Sequence, residues 1–287
     1  MSYKKKTLQE LTIKDNFMFG AAMMDTENCR GLLEMVLGIS IESITVDIEK
    51  SLVYNPEYKG VRLDVLAKDE ACTRYNVEMQ ALPHKDIGKR SRYYHSQIDM
   101  ELLLSGESYS NLPNTYVIFI CDFDPFGAGK YRYTFENRCV ETEEAKLNDG
   151  QKSIFLSTCG ENEEDESDEL VKFLKYVKAD LEESTKDYGD GYVSRIQKSV
   201  QRIKESREMG VRYMAWYDVV MAERNEAKAE GKAEGKAEFI ITLLESKVSV
   251  SEELRAKIVE QTDIDVLEQW FHNAIKATTI EEFIENM

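Results

Sequence analysis

Apolar residues recur at helical spacing in DTENCRGLLEMVLG, where Leu32, Leu33, Val36 and Leu37 form one stripe. Asp25 or Thr26 stands where it can cap that helix, and Gly38 supplies the left-handed residue that ends it. The period then changes. IESITVDIEKSLVY has the β-branched residues and rough alternation of a strand. Gly60 opens a second strand, GVRLDVLAKD; the polar link DEACTR leads to a third, YNVEMQAL, which Pro83 ends. A long helix pattern follows from Lys85 to Gly106. TYVIFICDF, too short for a typical helix and rich in β-branched and aromatic residues, reads as a buried central strand. KYRYTFENRCVE and KSIFLSTCG add further β structure. The order helix, three strands, helix, strand predicts an α/β fold around a mixed sheet.

From Asp168 the spacing is helical again, through ELVKFLKYVKADLEES and the long segment YVSRIQKSVQRIKESREMGVRYMAWYDVVMAERNE. The repeat EAKAEGKAEGKAE then combines alanine and charged pairs, which favour a helix, with glycines that cost about 1 kcal/mol each against alanine. It predicts a solvated, frayed helical connector. The expected organisation is a core over 1–165, a helical extension over 166–225 on or near it, a connector over 226–238 and a small helical tail over 239–287.

Composition narrows the function classes. No apolar run is long enough to span a membrane, and the lysines near the N-terminus precede no apolar stretch, which points to a cytoplasmic protein without a secretory signal. Five widely spaced cysteines without a C-x-x-C pair predict reduced thiols, each acting as a small buried hydrophobe, and neither a disulfide frame nor a zinc site. The net charge of -17 opposes binding to polyanions, but the carboxylates concentrate between Glu141 and Asp190 while HKDIGKRSRYY is locally basic. No G-x-x-x-x-G-K-[ST] loop is present, which argues against ATP-driven chemistry.

One hairpin carries the chemistry. If the second and third strands turn around Ala71, Asp64 lies opposite Glu78, and Glu78 and Gln80 share one face. Two opposed carboxylates repel unless a cation lies between them, and Mg²⁺ is commonly held by one or two carboxylates with waters and substrate phosphate. Such a pair is also compatible with a plain solvated hairpin face. The apolar residues Leu63, Val65, Val77 and Met79 on the intervening positions bury the other face and pin the register.

GVRLDVLAKDEACTRYNVEMQ resembles the second and third core strands of the PD-(D/E)XK nuclease superfamily, and specifically its Rpn branch of recombination-promoting nucleases and putative transposases. LTIKDNFMFGAAMMDTENCRGLLEMVLG resembles that branch's N-terminal block; KRSRYYHSQIDMELLLSGESYSNLPNTYVIFICDF resembles its long helix and next strand, and LNDGQKSIFLSTCG its later sheet. The resemblance implies a restriction-endonuclease-like core of order αβββαβ with a helical C-terminal extension. It implies a metal-dependent DNA endonuclease, with Asp64 and Glu78 as ligands of Mg²⁺ or Mn²⁺ and Glu34 completing the site from the first helix. Gln80 stands where the superfamily has lysine and offers only hydrogen bonds in its place; Lys85 or Lys89 would then have to supply the charge. Lys85, Lys89, Arg90 and Arg92 are the expected DNA-backbone contacts. The competing expectation is an inactive nuclease fold that binds DNA, or a protein through its helical tail. A homodimer would suit a double-strand cut.

Overall fold

The computed structural model describes residues 5–52, 60–247 and 249–287. Val53 and Tyr54, the end of the first expected strand, lie outside them. The chain forms two compact units, Met1–Gly210 and Val211–Met287.

The first unit opens with a helix the hydrophobic pattern did not reveal, α1 (Asn16–Met23). Its residues NFMFGAAM are apolar on nearly every side, so no stripe stands out, and Met18, Phe19, Ala22 and Met23 are all buried. The next helix, α2 (Thr26–Leu37), behaves as its pattern predicts. Asp25 caps it by accepting from the backbone of Glu27, and Gly38 ends it at φ 66°. Leu32, Leu33 and Val36 are fully buried, whereas Leu37 is only partly so.

Three antiparallel strands follow: β1 (Ile44–Leu52), β2 (Val61–Asp69) and β3 (Arg74–Gln80). The β2–β3 turn is tight enough to put Cys72 at φ 66°. There it is exposed, not a buried hydrophobe; of the five free cysteines only Cys29 and Cys121 are buried. Helix α3 (Ile87–Leu102) crosses over to β4 (Thr115–Cys121), which pairs parallel with β3. Strand β5 (Arg132–Phe135) pairs antiparallel with β6 (Gln151–Ser157), and β6 is parallel to β4. The sheet order is β1-β2-β3-β4-β6-β5, a mixed sheet as the element order predicts.

Both faces of this sheet are covered. On one, Ile48, Val65 and Val77 lie in register across β1, β2 and β3, and Gly20 of α1 sits against Ile48. On the other, Phe119 of β4 stacks between Tyr94 of α3 and Phe155 of β6, with ring centroids 6.1 Å and 5.1 Å away. Helices α4 (Asp168–Lys178) and α5 (Gly191–Glu205) belong to the same unit. They close over α1 and α2 where Tyr192 Oη donates to the carbonyl of Asn28 at 2.8 Å and Asn28 donates to Ser199 Oγ at 2.9 Å. A Cβ on Gly31 would lie 2.8 Å from the Tyr192 ring, so only glycine admits this approach. The first unit ends at Gly210, within the 166–225 extension expected on or near the core.

The long helix α6 (Arg207–Glu245) runs unbroken through the glutamate, glycine and lysine repeat. The connector is thus regular helix, and it is not wholly solvated: Ala233 and Ala237, four residues apart, are buried with Ile240, Ile241 and Leu244. These residues pack in the second unit with Leu254 and Ile258 of α7 (Glu252–Val259), Leu267 and Trp270 of α8 (Ile264–Lys276), and Phe283 of α9 (Ile280–Glu285). Lys247 Nζ donates to the carbonyls of Ala274, Ile275 and Ala277 at 2.8–3.1 Å, closing the C-terminus of α8 with a cation. Lys247→Met is expected to destabilise this unit by about 1 kcal/mol, read as a lower melting temperature by circular dichroism.

Candidate functional site

The register predicted for the hairpin is the one observed. Val65 pairs with Val77, Leu66 with Asn76, Ala67 with Tyr75 and Lys68 with Arg74. The next position along would place Asp64 opposite Glu78, and there the backbone ladder stops while β2 continues against β1 and β3 against β4. The two carboxylates take over the lost backbone bonds. The Asp64 amide donates to Glu78 Oε1 at 3.1 Å, and the Met79 amide donates to Asp64 Oδ2 at 3.0 Å. Across β2, Glu49 interrupts the β1 ladder at the same level with φ 53°. The sheet therefore opens on both sides of Asp64.

Helix α3 closes this opening with one side chain. Arg90 Nη2 donates to Glu78 Oε2 at 2.8 Å and Nη1 to Gln80 Oε1 at 3.0 Å, while Nε donates to Tyr94 Oη. Tyr94 Oη in turn donates to Glu78 Oε2 at 3.4 Å. The guanidinium lies 5.0 Å from the centroid of the Tyr94 ring and 5.8 Å from that of Phe119.

Electrostatics at the pair are unfavourable. Glu78 is fully buried and Asp64 half-buried. Burial pushes the Glu78 carboxyl well above the usual range and the charge of Asp64 adds to this, with Arg90 opposing. Burial also raises Asp64, against the Met79 amide and Arg90. Asn76, two residues before Glu78 on the same face of β3, is fully buried beside that carboxylate and favours its charged form, although its amide makes no hydrogen bond of good geometry among the described residues. Two close carboxylates and a buried amide on the same face fit the oxygen-donor chemistry of a hard divalent cation.

The other expected residues are placed differently. Glu34 does not join the pair: its Oε1 accepts from the Ile41 amide at 2.9 Å and lies 3.8 Å from Arg30, where it fastens the loop after α2. Among the described residues no three His, Cys, Asp or Glu side chains converge in a metal-binding group. Lys85 precedes α3, which starts at Ile87, so the four expected DNA contacts lie partly before the helix and partly on it. Lys85, Lys89 and Arg92 are exposed, with Lys89 3.5 Å from Asp86. Neither lysine reaches Gln80; Arg90 does. Tyr94 and Asn76 went unnoticed in the sequence, although Asn76, Glu78 and Gln80 alternate with Tyr75, Val77 and Met79, and Tyr94 follows Arg90 by one helical turn. His95, on the same helix, faces the sheet; Thr115 Oγ1 and Ser153 Oγ hold its ring at 2.9 Å and 3.2 Å, and burial lowers its pKa to about 4.

A mixed six-stranded sheet parted around two carboxylates, with helices on both faces, is an α/β architecture consistent with a nuclease fold. Residues 16–230 match the PD-(D/E)XK nuclease family transposases, and the chain belongs to that family. The family places it among phosphodiester-cleaving nuclease folds that act on DNA and generally use divalent metals. No curated protein and no solved structure matches the chain. Among the described residues no helix is long and apolar enough to cross a membrane.

Proposed function

We propose that the protein is a Mg²⁺- or Mn²⁺-dependent DNA endonuclease whose metal is held by Asp64 and Glu78. The observation that carries this reading is the buried, mutually repelling carboxylate pair at the point where β2 and β3 part. Left alone, such a pair penalises the fold; with a divalent ion between its oxygens it becomes a site. When bound, the ion acidifies a water for attack on the phosphodiester and stabilises the departing oxygen. The protein's part is to fix the geometry. The Asp64 and Met79 amides lock the two carboxylates to the opposite strand, so neither can swing away. Gln80 presents its oxygen to Arg90, a donor-only group, which leaves its NH₂ to orient a water or phosphate oxygen. Glu34 acts in this reading only by fastening the loop after α2.

Lys89 and Arg92, exposed on α3, and Lys85 just before it supply backbone contacts that position a duplex without reading sequence. The double variant Lys89→Gln/Arg92→Gln is expected to weaken duplex binding uniformly across sequences. In a fluorescence-anisotropy titration, the slope of log affinity against log salt should fall by about 2.

The function is tested by adding Mn²⁺ to wild type and to Asp64→Ala, reading the melting temperature and the cutting of a labelled duplex. Wild type gains stability and cuts; Asp64→Ala does neither. An equal rise in melting temperature for both proteins places the ion elsewhere. Duplex binding without cutting by a metal-loaded wild type leaves the fold as a binding module.

A further inference from the structure

The site lacks the lysine its family name leads one to expect, yet it does not lack a cation. Arg90 reaches across from α3 and bridges the two β3 side chains that face the opening, Glu78 and Gln80. We propose that Arg90, presented by Gln80 and Tyr94, is the catalytic cation of this site and acts on the scissile phosphate in the place of a strand lysine.

Three observations carry this. First, the position: Arg90 touches residue 80 itself, whereas Lys85 and Lys89 are exposed at the start of α3. Second, the support: Gln80 Oε1 takes one guanidinium edge and Tyr94 Oη another, and the Tyr94 and Phe119 rings lie beside its plane. An arginine that served only to neutralise Glu78 would not need this second set of anchors. Third, access: the Arg90 side chain keeps about a quarter of its surface open (28%) while Glu78 has none, so a phosphate can reach the guanidinium from outside. Arginine's planar fork suits two phosphate oxygens at once. Division of labour follows. Lysine combines a charge and water-orienting N–H donors in one group; here Arg90 supplies the charge and the Gln80 NH₂ supplies a donor.

The same contacts imply a change on loading. Glu78 Oε2 faces Arg90 in this structure, and a divalent cation drawn to that carboxylate repels the guanidinium. With a cation held by Glu78, Arg90 would keep its contacts to Gln80 and Tyr94 and would be free to meet a phosphate.

This inference rests on the nuclease reading, and the test separates the two. Wild type, Arg90→Met, Gln80→Lys and Gln80→Lys/Arg90→Met are compared in single-turnover cleavage with Mn²⁺, in duplex binding with EDTA, and in Mn²⁺ titration by calorimetry. Arg90→Met is expected to cut about 10²-fold more slowly. Its duplex affinity should stay within about threefold of wild type, since one phosphate contact among many is lost, and Mn²⁺ binding should be retained, because the guanidinium that competes for Glu78 is gone. Returning a cation to β3 in Gln80→Lys/Arg90→Met should recover at least about tenfold of the lost rate. Cleavage by Arg90→Met at the wild-type rate overturns the proposal and leaves the nuclease standing. So does loss of Mn²⁺ binding in Arg90→Met, or a double variant no faster than Arg90→Met, because each would make Arg90 a structural partner of Glu78. A wild type that binds Mn²⁺ but never cuts overturns the nuclease reading and this inference with it.

Discussion

Glu78→Gln is expected to cut DNA at least about 10³-fold more slowly than wild type while melting higher in the absence of metal. The two effects have one cause. Glutamine keeps one oxygen, which can accept from the Asp64 amide or from Arg90 but not from both, so one of the two hydrogen bonds is lost. It removes a buried charge that stands against Asp64. In the metal-free fold, relief from repulsion and desolvation outweighs the lost bond, and a higher melting temperature follows. On the proposed function, what is lost is one of the two charges that would hold the cation. A purely structural Glu78 gives the opposite pattern, a lower melting temperature with cleavage retained. Differential scanning fluorimetry beside single-turnover kinetics distinguishes them.

The metal-free wild type should lose stability as pH rises, and Mn²⁺ should restore it. The sign follows from the direction of both shifts. Asp64 and Glu78 hold their protons more tightly folded than unfolded, so the native state carries no penalty at acid pH, where both are neutral in either state. The penalty grows as pH climbs from the unfolded carboxylate values, about 4, through the raised folded ones, and is complete above these. Because protons and metal compete for the same oxygens, stabilisation by Mn²⁺ should increase over that interval. It should reach about 2.7 kcal/mol at a free concentration a hundred times the dissociation constant. Urea midpoints of wild type and Asp64→Asn/Glu78→Gln across this pH range provide the check. A wild type whose metal-free stability follows the double variant's at every pH would remove the electrostatic argument for the site.

How much of this was legible in the sequence differs by element. The hairpin was readable to the residue because strand alternation and a short turn leave little choice: once Val65 and Val77 face inwards, Asp64 and Glu78 must meet. Gly38 and Asp25 were equally plain, since helix ends require particular backbone and capping chemistry. Helix α1 escaped because a helix buried nearly all round has no polar face to set its period. The repeat's helix was legible but its packing was not, because Ala233 and Ala237 are buried in a cluster with residues of α7, α8 and α9, which no local pattern announces. At the site, the charge pattern of α3 grouped Arg90 with its exposed neighbours. One residue of helical phase turns it inwards, and only the position of the helix over β3 shows that it lands on Gln80 and Glu78. Glu34 shows the converse: it lies where the resemblance expects a ligand, and its carboxylate serves the Ile41 amide.

The most direct measurement is conversion of supercoiled plasmid by the purified full-length protein with Mg²⁺ or Mn²⁺, alongside excess EDTA and the Glu78→Gln variant. Nicked and linear products that appear with wild type and metal, and vanish in both controls, are the predicted result. Cleavage that persists in EDTA or in Glu78→Gln, or a folded wild type that leaves the plasmid supercoiled, would contradict it.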